Sequence, residues 1–353
     1  SAALADRHLP LVVLQHNPMN PPIESSYPYM MAQREQLMSD YAAAGATLCL
    51  SGHYHRGGPL TKVDGVNYLT APAITACPHP YMLIDVHDDG RVDAQRCELI
   101  DTQSPALVDV HCHTEFAYCG VDITTCDAIE RARWFGLRRL CLTEHAPQLY
   151  CLAEDFWKAR HIFEPRLWRE AQADRMELFR RRAAIWRNDP LVRIGLEVEI
   201  DCDGAMTLRD EDRNVADLLV GAIHWLPVDA SSMDDASAAN AFMKACQSLL
   251  QAGVHVLAHP WRWFVRAKRP VPKQLYVELA SMLAEHNTAA EINYHTNNPD
   301  PAFFAQCIER GVKIALGTDS HATWEMSNMS RHLRLLQASA GSSDVGHLLF
   351  DPS

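Results

Sequence analysis

The sequence lacks the features that mark several large classes of protein. Its 353 residues contain no run of eighteen apolar residues, so no segment is predicted to span a membrane. The opening stretch SAALADRHLP lacks the basic and then apolar order of a secretory signal. Eleven cysteines are present, but no two are spaced as C-x-x-C, which argues against a zinc ribbon or a disulfide framework. We therefore expect reduced thiols and a cytoplasmic protein.

Positive charge is also scarce. The formal net charge of −12 disfavours binding to long nucleic acids or to anionic membranes. An anionic substrate would need local positive charge, from metal ions or from a few arginines. Histidine, by contrast, is abundant, with 18 residues. Because histidine is the commonest metal ligand and a general acid or base near neutral pH, the position of these residues is informative.

A polar, proline-containing stretch at residues 102–106 divides the chain into two segments. In the first segment, LVVLQH (11–16) and TLCLSG (47–52) are predicted to be buried strands, with a helix between them near 31–44. A later D-D-G sequence between apolar strands predicts a hairpin. The length suggests two domains, which we place at residues 1–103 and 104–353.

The second segment alternates apolar strands with amphipathic helices. The predicted strands cover residues 107–110, 139–143, 192–198, 217–223, 254–258, 289–293 and 313–318. The predicted helices lie near residues 124–135, 165–187, 236–252, 272–286, 301–310 and 325–339. Seven strands with intervening helices imply parallel βαβ connections, and therefore an α/β barrel or a doubly wound sheet.

Potential metal ligands follow or end six of these seven strands. They are His111, His113, His145, Glu197, His224, His259, Asp319 and His321. In a parallel barrel the C-terminal strand ends converge on one face, where active sites are built. A single histidine after a strand is usually structural, but this repetition favours a site for Zn, Mn or Fe. The sixth strand ends instead at Asn293 and His295, which suit hydrogen bonds to substrate, to ligands or within the fold.

The ordered motifs VDVHCHTEF, LTEHA, IGLEVEI, GAIHWL, VLAHP and LGTDSH resemble those of the PHP superfamily, especially its histidinol-phosphatase-like branch. The resemblance covers roughly residues 107–325. It implies a distorted (β/α)7 barrel with a trinuclear metal centre, which agrees with the seven predicted strands. It also implies which residue binds which metal. The first metal would be bound by His111, His113, Glu197 and Asp319, the second by bridging Glu197 with His224 and His259, and the third by His145 and His321.

The resemblance implies one more ligand for the third metal, six residues after His113. Relatives often have histidine or a carboxylate there, whereas this chain has Cys119. A thiolate is a good ligand for Zn or Fe(II), so the substitution is compatible with a third site of altered metal preference. The alternative is that Cys119 is a small buried hydrophobic residue.

The first segment resembles the last two motifs of calcineurin-like metallophosphoesterases, in LVVLQHNP and CLSGHYHRG. His16, His53 and His55 match the metal-binding histidines of those motifs. The earlier motifs of that family do not precede residue 16. We therefore expect a partial α/β metallophosphoesterase sandwich before the barrel. Three explanations stay open: a fragment of a longer fusion, a missing half supplied as a separate chain, or a degenerate half-domain.

For the barrel we expect hydrolysis of a phosphate ester by a metal-activated hydroxide near Glu197. Asp319 or His321, or a metal-bound water, would protonate the leaving group. Arg262 is a candidate phosphate clamp, and the alternative is a surface arginine stacked on a neighbouring tryptophan. Aromatic residues beside the candidate ligands are expected to line the pocket or to belong to the core. These are Phe116, Tyr118, Trp225, Trp261, Trp263 and Tyr294.

The favoured substrate is a small phosphomonoester. One alternative is a phosphodiesterase or exonuclease that acts on a cyclic or oligonucleotide diester. Another is a non-catalytic, metal-stabilised scaffold. The predicted cofactors are three divalent ions, and the predicted partner, besides substrate, is the missing half of the first domain.

Overall fold

Residues 9–25, 27–75, 79–98 and 106–352 are described by a computed structural model. The chain separates into two units, residues 1–104, which we call the N-terminal unit, and residues 105–353, which we call the barrel unit. None of the helices in the described ranges is long and apolar enough to cross a membrane.

The described part of the N-terminal unit contains a four-stranded sheet, one helix and a hairpin. In chain order its elements are β1 (Leu11–Leu14), α1 (Arg34–Ala43), β2 (Ala46–Ser51), β3 (Thr61–Val63), β4 (Val66–Thr70), β5 (Pro80–Val86) and β6 (Val92–Glu98). The sheet order is β1-β2-β4-β3, with only β3 antiparallel. Strands β5 and β6 pair with each other around the predicted D-D-G turn.

The prediction that residues 11–16 form a buried strand is wrong in part. Strand β1 forms, but it lies at the edge of the sheet and alternates between half-buried and exposed side chains. Leu14 is 73% exposed, whereas Val13 packs against the small core that contains Met19 and Tyr68. A strand that is covered on one face needs apolar residues only at alternate positions. Because the apolar run of β1 is continuous, the sequence does not distinguish this edge strand from one buried on both faces.

The barrel unit contains seven parallel strands. They are β7 (Val108–Cys112), β8 (Arg139–His145), β9 (Val192–Val198), β10 (Leu218–Gly221), β11 (Val256–Leu257), β12 (Ala289–Ile292) and β13 (Ile314–Leu316). The helices are α2 (Thr125–Trp134), α3 (Ala146–Tyr150), α4 (Ala153–Trp157), α5 (Arg160–Phe163), α6 (Arg166–Arg169), α7 (Met176–Trp186), α8 (Asp235–Gln251), α9 (Arg262–Arg266), α10 (Tyr276–Glu285), α11 (Pro301–Glu309) and α12 (Ser330–Ala340). The seven predicted strands are therefore confirmed in their predicted order, whereas α3, α4, α5 and α9 were not predicted.

The strands follow one another around the sheet in chain order, β7 to β13, and the last returns to the first. The return is made at the end of β7, where Cys112 forms a parallel bridge with Ser320, which lies beyond β13. Asp109 supports this seam, because its carboxylate accepts hydrogen bonds from the Thr318 N–H (3.0 Å) and hydroxyl (2.6 Å). The architecture is thus a nearly closed seven-stranded barrel, a distorted relative of the eight-stranded form.

A bulge in β7 aims the first motif at the barrel interior. The pairing with β8 shifts between Asp109 and Cys112, so that β7 contains one extra residue. Val110, before the shift, belongs to the inner cluster of small apolar residues, and Cys112, after it, belongs to the larger core between strands and helices. A bulge re-aims side chains in this way, and here it leaves His111 and His113 facing inward.

The single helix predicted over residues 165–187 is wrong. The chain forms α6 and α7 instead, with a break between them at which Ala171 adopts a positive φ of 50°. At the break, the backbone N–H groups of Ala173 and Arg175 donate to carbonyls of Tyr150 and Leu149 in α3. These tertiary hydrogen bonds replace helical ones, which the apolar periodicity of the segment does not reveal.

Candidate metal centre

The barrel brings the predicted ligands together at the C-terminal ends of its strands. Eight of the nine are buried, each exposing 9% or less of its surface, and Cys119 is half-buried. The eight are His111, His113, His145, Glu197, His224, His259, Asp319 and His321.

Glu197, inside β9, is the centre of this cluster. Its Oε1 lies 3.1 Å from His259 Nε2 and 3.5 Å from His224 Nε2. Its Oε2 lies 2.5 Å from His145 Nδ1 and 3.5 Å from His111 Nε2. Each of the two oxygens of this carboxylate therefore faces its own pair of imidazoles.

Asp319 follows β13 and joins the cluster from the other side of the seam. Its Oδ1 lies 3.0 Å from His113 Nε2. Burial by itself raises the pKa of this carboxyl, but His111 and Arg262 hold it well below its usual range. The pKa of Glu197 is also held well below its usual range, chiefly by His145 and His111, against the effect of burial. Both carboxylates are therefore ionised at neutral pH.

Three histidines form a second group near Cys119. The rings of His113 and His145 stack with centroids 4.2 Å apart, and those of His113 and His321 lie 4.5 Å apart. Ligand nitrogens of His113, His145 and His321 lie close enough to bind one ion. Burial lowers the pKa of His145 to about 4 and that of His321 to about 2, so both are neutral and able to ligate.

Cys119 lies at the edge of this group. Its Sγ is 3.5 Å from His145 Nε2, and Gln148 donates to the sulfur at 3.7 Å. Burial raises the pKa of the thiol to about 12. In the described residues Cys119 joins no group of three close ligand atoms, and His113 takes the third place beside His145 and His321.

Three further carboxylates support the imidazoles from outside. Glu291 accepts from His111 Nδ1 at 2.9 Å and from the His259 backbone N–H at 2.7 Å. Glu199 accepts from His224 Nδ1 at 3.0 Å. Glu144, 3.7 Å from His113 Nδ1, is held by the N–H and hydroxyl of Thr114. Such contacts fix the orientation of a ligand imidazole and raise its basicity.

Glu291 is not among the candidate residues of the sequence analysis. The signal that could have found Glu291 is its position as an acidic residue in the middle of the apolar strand AAEIN, where a buried charge needs a partner. A second signal is Gly317, the glycine directly after β13. A Cβ at Gly317 would overlap Glu291 Oε1 and lie 2.8 Å from His111 Cβ, so glycine leaves the room that the carboxylate occupies.

Arg262, at the start of α9, is 4% exposed, so the alternative of a surface arginine stacked on a tryptophan is wrong. Its guanidinium donates to Asp319 Oδ2 at 2.5 Å and to His224 Nε2 at 2.6 Å. It therefore lies at the cluster itself, where a bound anion would meet it.

A cavity of about 420 Å³ opens onto the cluster. His145, His224 and His321 form part of its lining, together with Arg262. Of the aromatic residues that the sequence marked, Trp225 lines it. Trp261 and Trp263 lie in the core. Phe156 and Trp157 also line the cavity; both belong to α4, a helix that the sequence did not predict.

Asn293 and His295 both lie at the centre. Asn293 Nδ2 donates to Glu291 at 3.1 Å and to Asp319 at 3.2 Å. The ring of His295 stacks on that of His321, with centroids 4.2 Å apart. The sixth strand thus supplies supporting contacts where the others supply candidate ligands.

The histidines of the N-terminal unit are arranged differently. His16 Nε2 lies 2.9 Å from His53 Nδ1, while His16 and His55 are exposed. Within the described part of this unit, no three potential ligands come close enough to share an ion.

The donor set of the barrel suits divalent metal ions. His111 Nε2 and Glu197 Oε2 are fully buried and form no hydrogen bond of suitable geometry with the described residues, although His145 Nδ1 lies 2.5 Å from Glu197 Oε2. Buried polar atoms are normally satisfied, so these two atoms are expected to serve another ligand. Imidazole nitrogens and carboxylate oxygens without a set of cysteines fit Zn, Mn or Fe.

Comparison with known proteins gives matches for the barrel. The family model described as PHP domain matches residues 109–295, more than half of the chain. The protein named Probable phosphatase YcdX from Escherichia coli O139:H28 is 28% identical over 242 residues, covering 65% of this chain and 85% of its own. The protein of that name from Shigella dysenteriae serotype 1 has the same identity and coverage. Histidinol phosphate phosphatase from Lactococcus lactis, solved with Zn, L-histidinol and phosphate, is 18% identical, with a TM-score of 0.46 over 66% of this chain and 94% of that one.

Proposed function

The chain belongs to the PHP domain family and is a metal-dependent phosphoesterase, and from this premise we propose that its barrel unit hydrolyses a small phosphomonoester with three divalent metal ions. The observation that carries the proposal is the position of Glu197, whose two oxygens face separate sets of imidazoles. The relatives named as phosphatases support the phosphomonoester class.

The charge of the cluster supports more than one ion. Five buried carboxylates surround it, whereas Arg262 is its one permanently charged cation among the described residues. The five are Glu144, Glu197, Glu199, Glu291 and Asp319. Arg262 offsets one of these five charges. Burying unpaired charges is costly, and with neutral imidazoles two divalent ions would offset the remaining four.

We assign the ligands in three sets. His111, His113, Glu197 and Asp319 would hold the first ion; Glu197, His224 and His259 the second; and His145, His321 and Cys119 the third. For the third set, the short distance from Cys119 Sγ to His145 Nε2 supports the assignment. His113 also lies beside His145 and His321, which supports a position between the first and third ions.

In the reaction, water adds its oxygen to phosphorus, the ester P–O bond breaks, and one proton passes to the leaving alcohol. Bound divalent ions would supply Lewis acidity toward the phosphoryl oxygens and lower the pKa of water. Arg262 would bind a phosphoryl oxygen, since guanidinium matches phosphate geometry. Asp319 and His321 are our candidates for moving the proton, because Asp319 Oδ1 lies 3.6 Å from His321 Nδ1 and His321 lines the cavity.

The proposal is tested by comparing p-nitrophenyl phosphate with its bis-ester on purified protein loaded with Mn²⁺ or Zn²⁺. We expect the monoester to be hydrolysed with the higher kcat/KM. A preference for the bis-ester would replace the proposal with a phosphodiesterase. Hydrolysis of neither ester, with the metal bound, would favour the scaffold alternative.

Metal content tests the number of ions and the role of Cys119. Plasma mass spectrometry on protein purified without chelator is expected to give close to three ions per chain. Cys119→Ala is expected to lower this to two, and Cys112→Ala, a buried cysteine outside the cluster, to leave it unchanged. Three ions in both variants would make Cys119 a packing residue.

For the N-terminal unit we propose the C-terminal part of a calcineurin-like metallophosphoesterase domain, occupying residues 1–103. The paired His16 and His53 and the G-H-Y-H sequence after β2 support it. Since the described residues supply no third close ligand, a metal there would need ligands from another segment or chain. The proposal would be supported by a second chain that co-purifies with the protein and raises its metal content, provided that His53→Ala removes the additional metal. A metal content that never exceeds that of the barrel, and a lack of any partner, would leave the unit as a packing module.

A further inference from the structure

The cavity over the cluster has an aromatic wall that the hydrolysis of phosphate does not by itself require. Phe156 and Trp225 pack edge to face, with ring centroids 5.4 Å apart, and the ring of Trp225 lies 5.8 Å from that of His224. Beside them Trp157 is 51% exposed, and Trp324 also lines the cavity with 74% exposure. Two exposed tryptophans at the mouth of one cavity offer flat apolar surface to a ligand.

The same cavity contains an arginine without a partner. Arg266 lies one helical turn after Arg262 on α9 and lines the cavity with it. Arg262 is buried and bonded to Asp319 and His224, whereas Arg266 is exposed and its guanidinium forms no hydrogen bond or ion pair with any described side chain. The two arginines therefore present charge at two depths of one cavity.

One carboxylate of the cavity, Glu325, is engaged elsewhere. Its Oε2 accepts hydrogen bonds from the backbone N–H groups of His321 (2.8 Å) and Ala322 (3.2 Å), and its Oε1 faces His295 at 3.5 Å. It is thus held away from Arg266 by its own contacts. In a chain of net charge −12, an unpaired guanidinium at a cavity mouth is a local site of attraction for an anion.

We propose that the substrate is an organic phosphate with a flat apolar body and a second anionic group, and that Arg266 binds this second group. The scissile phosphate would lie at the cluster beside Arg262, the flat body against Trp157 and Trp225, and the second anion at Arg266. The inference rests on the proposed phosphomonoesterase function for the identity of the first anion. Carboxylate and phosphate share the geometry that a guanidinium binds with two parallel hydrogen bonds.

Non-hydrolysable phosphonates test the proposal without turnover. The probes are benzylphosphonate and 4-(phosphonomethyl)benzoate, which differ by one carboxylate, titrated into the Zn²⁺-loaded protein by calorimetry. We expect the carboxylate to tighten the dissociation constant about tenfold, as for a charge-assisted hydrogen bond. A benzene bisphosphonate probe separates the two sources, since the tighter of the two probes with a second anionic group identifies the group that Arg266 prefers.

Arg266→Gln is expected to abolish the tenfold difference between these probes and to leave benzylphosphonate binding within about twofold. Arg266→Lys should retain part of the difference. Lys268→Gln is the matched control, since Lys268 is exposed just beyond α9 and does not line the cavity. Arg266 has no hydrogen-bond or ion-pair partner among the described side chains, so its variants are expected to keep the wild-type Tm, which is measured alongside.

Trp157→Ala tests the flat body. It is expected to weaken binding of both benzyl probes about fivefold to tenfold while leaving propylphosphonate unchanged, since the indole face contributes through aromatic stacking. The Trp134→Ala variant, at an exposed tryptophan outside the cavity, is the control.

Equal affinity for the probes in the wild type, or an equal loss for both in Arg266→Gln, would overturn the inference. Failure to bind any probe would overturn it as well. If the carboxylate preference is present and depends on Arg266 while no phosphomonoester is hydrolysed, the binding inference stands and the proposed function fails.

Discussion

The two units both present histidines in short motifs after strands, yet they build different surroundings for them. In the barrel unit, His111, His113 and His224 each face an outer carboxylate with the nitrogen that points away from the cluster. In the N-terminal unit, His16 faces His53, and no carboxylate of the described residues bonds either ring. The spacing of histidines therefore predicts which residues converge, while the carboxylates around them determine whether the imidazoles are oriented for a metal.

Breaking one histidine in each unit gives the largest expected contrast. His111→Ala should lower phosphatase activity at least about a thousandfold, because several kcal/mol of transition-state stabilisation depends on the cluster. His53→Ala should leave the same activity within about twofold. Both are measured as kcat/KM with p-nitrophenyl phosphate, with circular dichroism as the check on folding. Similar losses in the two variants would mean that the units act on one substrate together.

Low pH is expected to lower the free energy of unfolding of the barrel unit through the protonation of His332. This residue is buried, its Nε2 donates to the Gly317 carbonyl at 3.0 Å, and burial lowers its pKa to about 4. The unfolded chain, with a histidine pKa near 6.5, binds the proton more readily. Stability is therefore complete above about pH 6.5 and falls as the pH drops toward 4, by up to about 3 kcal/mol.

His332→Gln removes this titration. The free energy of unfolding of the variant, from urea titrations at pH 7 and pH 4.5, should depend less on pH than that of the wild type. His347→Gln, at a histidine outside the cluster whose carbonyl accepts from Lys313, is the control. An unchanged pH dependence in His332→Gln would assign the acid sensitivity to other groups.

A pair of glycine substitutions compares the space in the two units. Gly317→Ala in the barrel would push a methyl group into Glu291 and His111, and should cost about 1–3 kcal/mol of unfolding free energy together with weaker metal binding. Gly52→Ala in the N-terminal unit meets nothing within 4 Å, and its effect should stay within about 0.5 kcal/mol. Thermal unfolding and metal titration measure both. A neutral Gly317→Ala would show that Glu291 can move without cost.

The smallest expected effect concerns an outer carboxylate. Glu199→Gln keeps the size of the side chain but removes the charge that faces His224 and His161, and should weaken metal binding about tenfold. Glu35→Gln, at an exposed carboxylate of the N-terminal unit, should have no effect. Competition with a fluorescent zinc chelator measures the affinity. No loss in Glu199→Gln would mean that packing, for example of His161 on Phe156, is enough to orient His224.

The sequence predicted the barrel well because each strand is a nearly continuous apolar run and six of the seven carry a candidate ligand at or near their ends. That pattern arises from burial on both faces and from the convergence of strand ends, so it is local and readable. It was less informative where tertiary contacts determine the backbone. The break between α6 and α7 depends on hydrogen bonds to α3, and neither Phe156 nor Trp157 belongs to a ligand motif.

The supporting residues of the site were harder to predict for a related reason. Glu291 meets His111 across 180 positions of sequence, and Gly317 matters because of what lies opposite it. Such contacts follow from the closure of the barrel and produce no characteristic residue spacing in the sequence. Arg262 was singled out because it follows the motif that contains His259, but its burial and its bonds to Asp319 and His224 required the structure.

The seam of the barrel also has a consequence for synthesis. His113 and Asp319 lie 3.0 Å apart in the folded unit but are separated by 206 positions in the sequence. On a ribosome, the strand that carries His113 therefore emerges long before the one that carries Asp319. In the proposed metal centre both residues bind the first ion, so this ligand set would form only after the last strand has docked against the first, and metal binding would report the closure of the barrel.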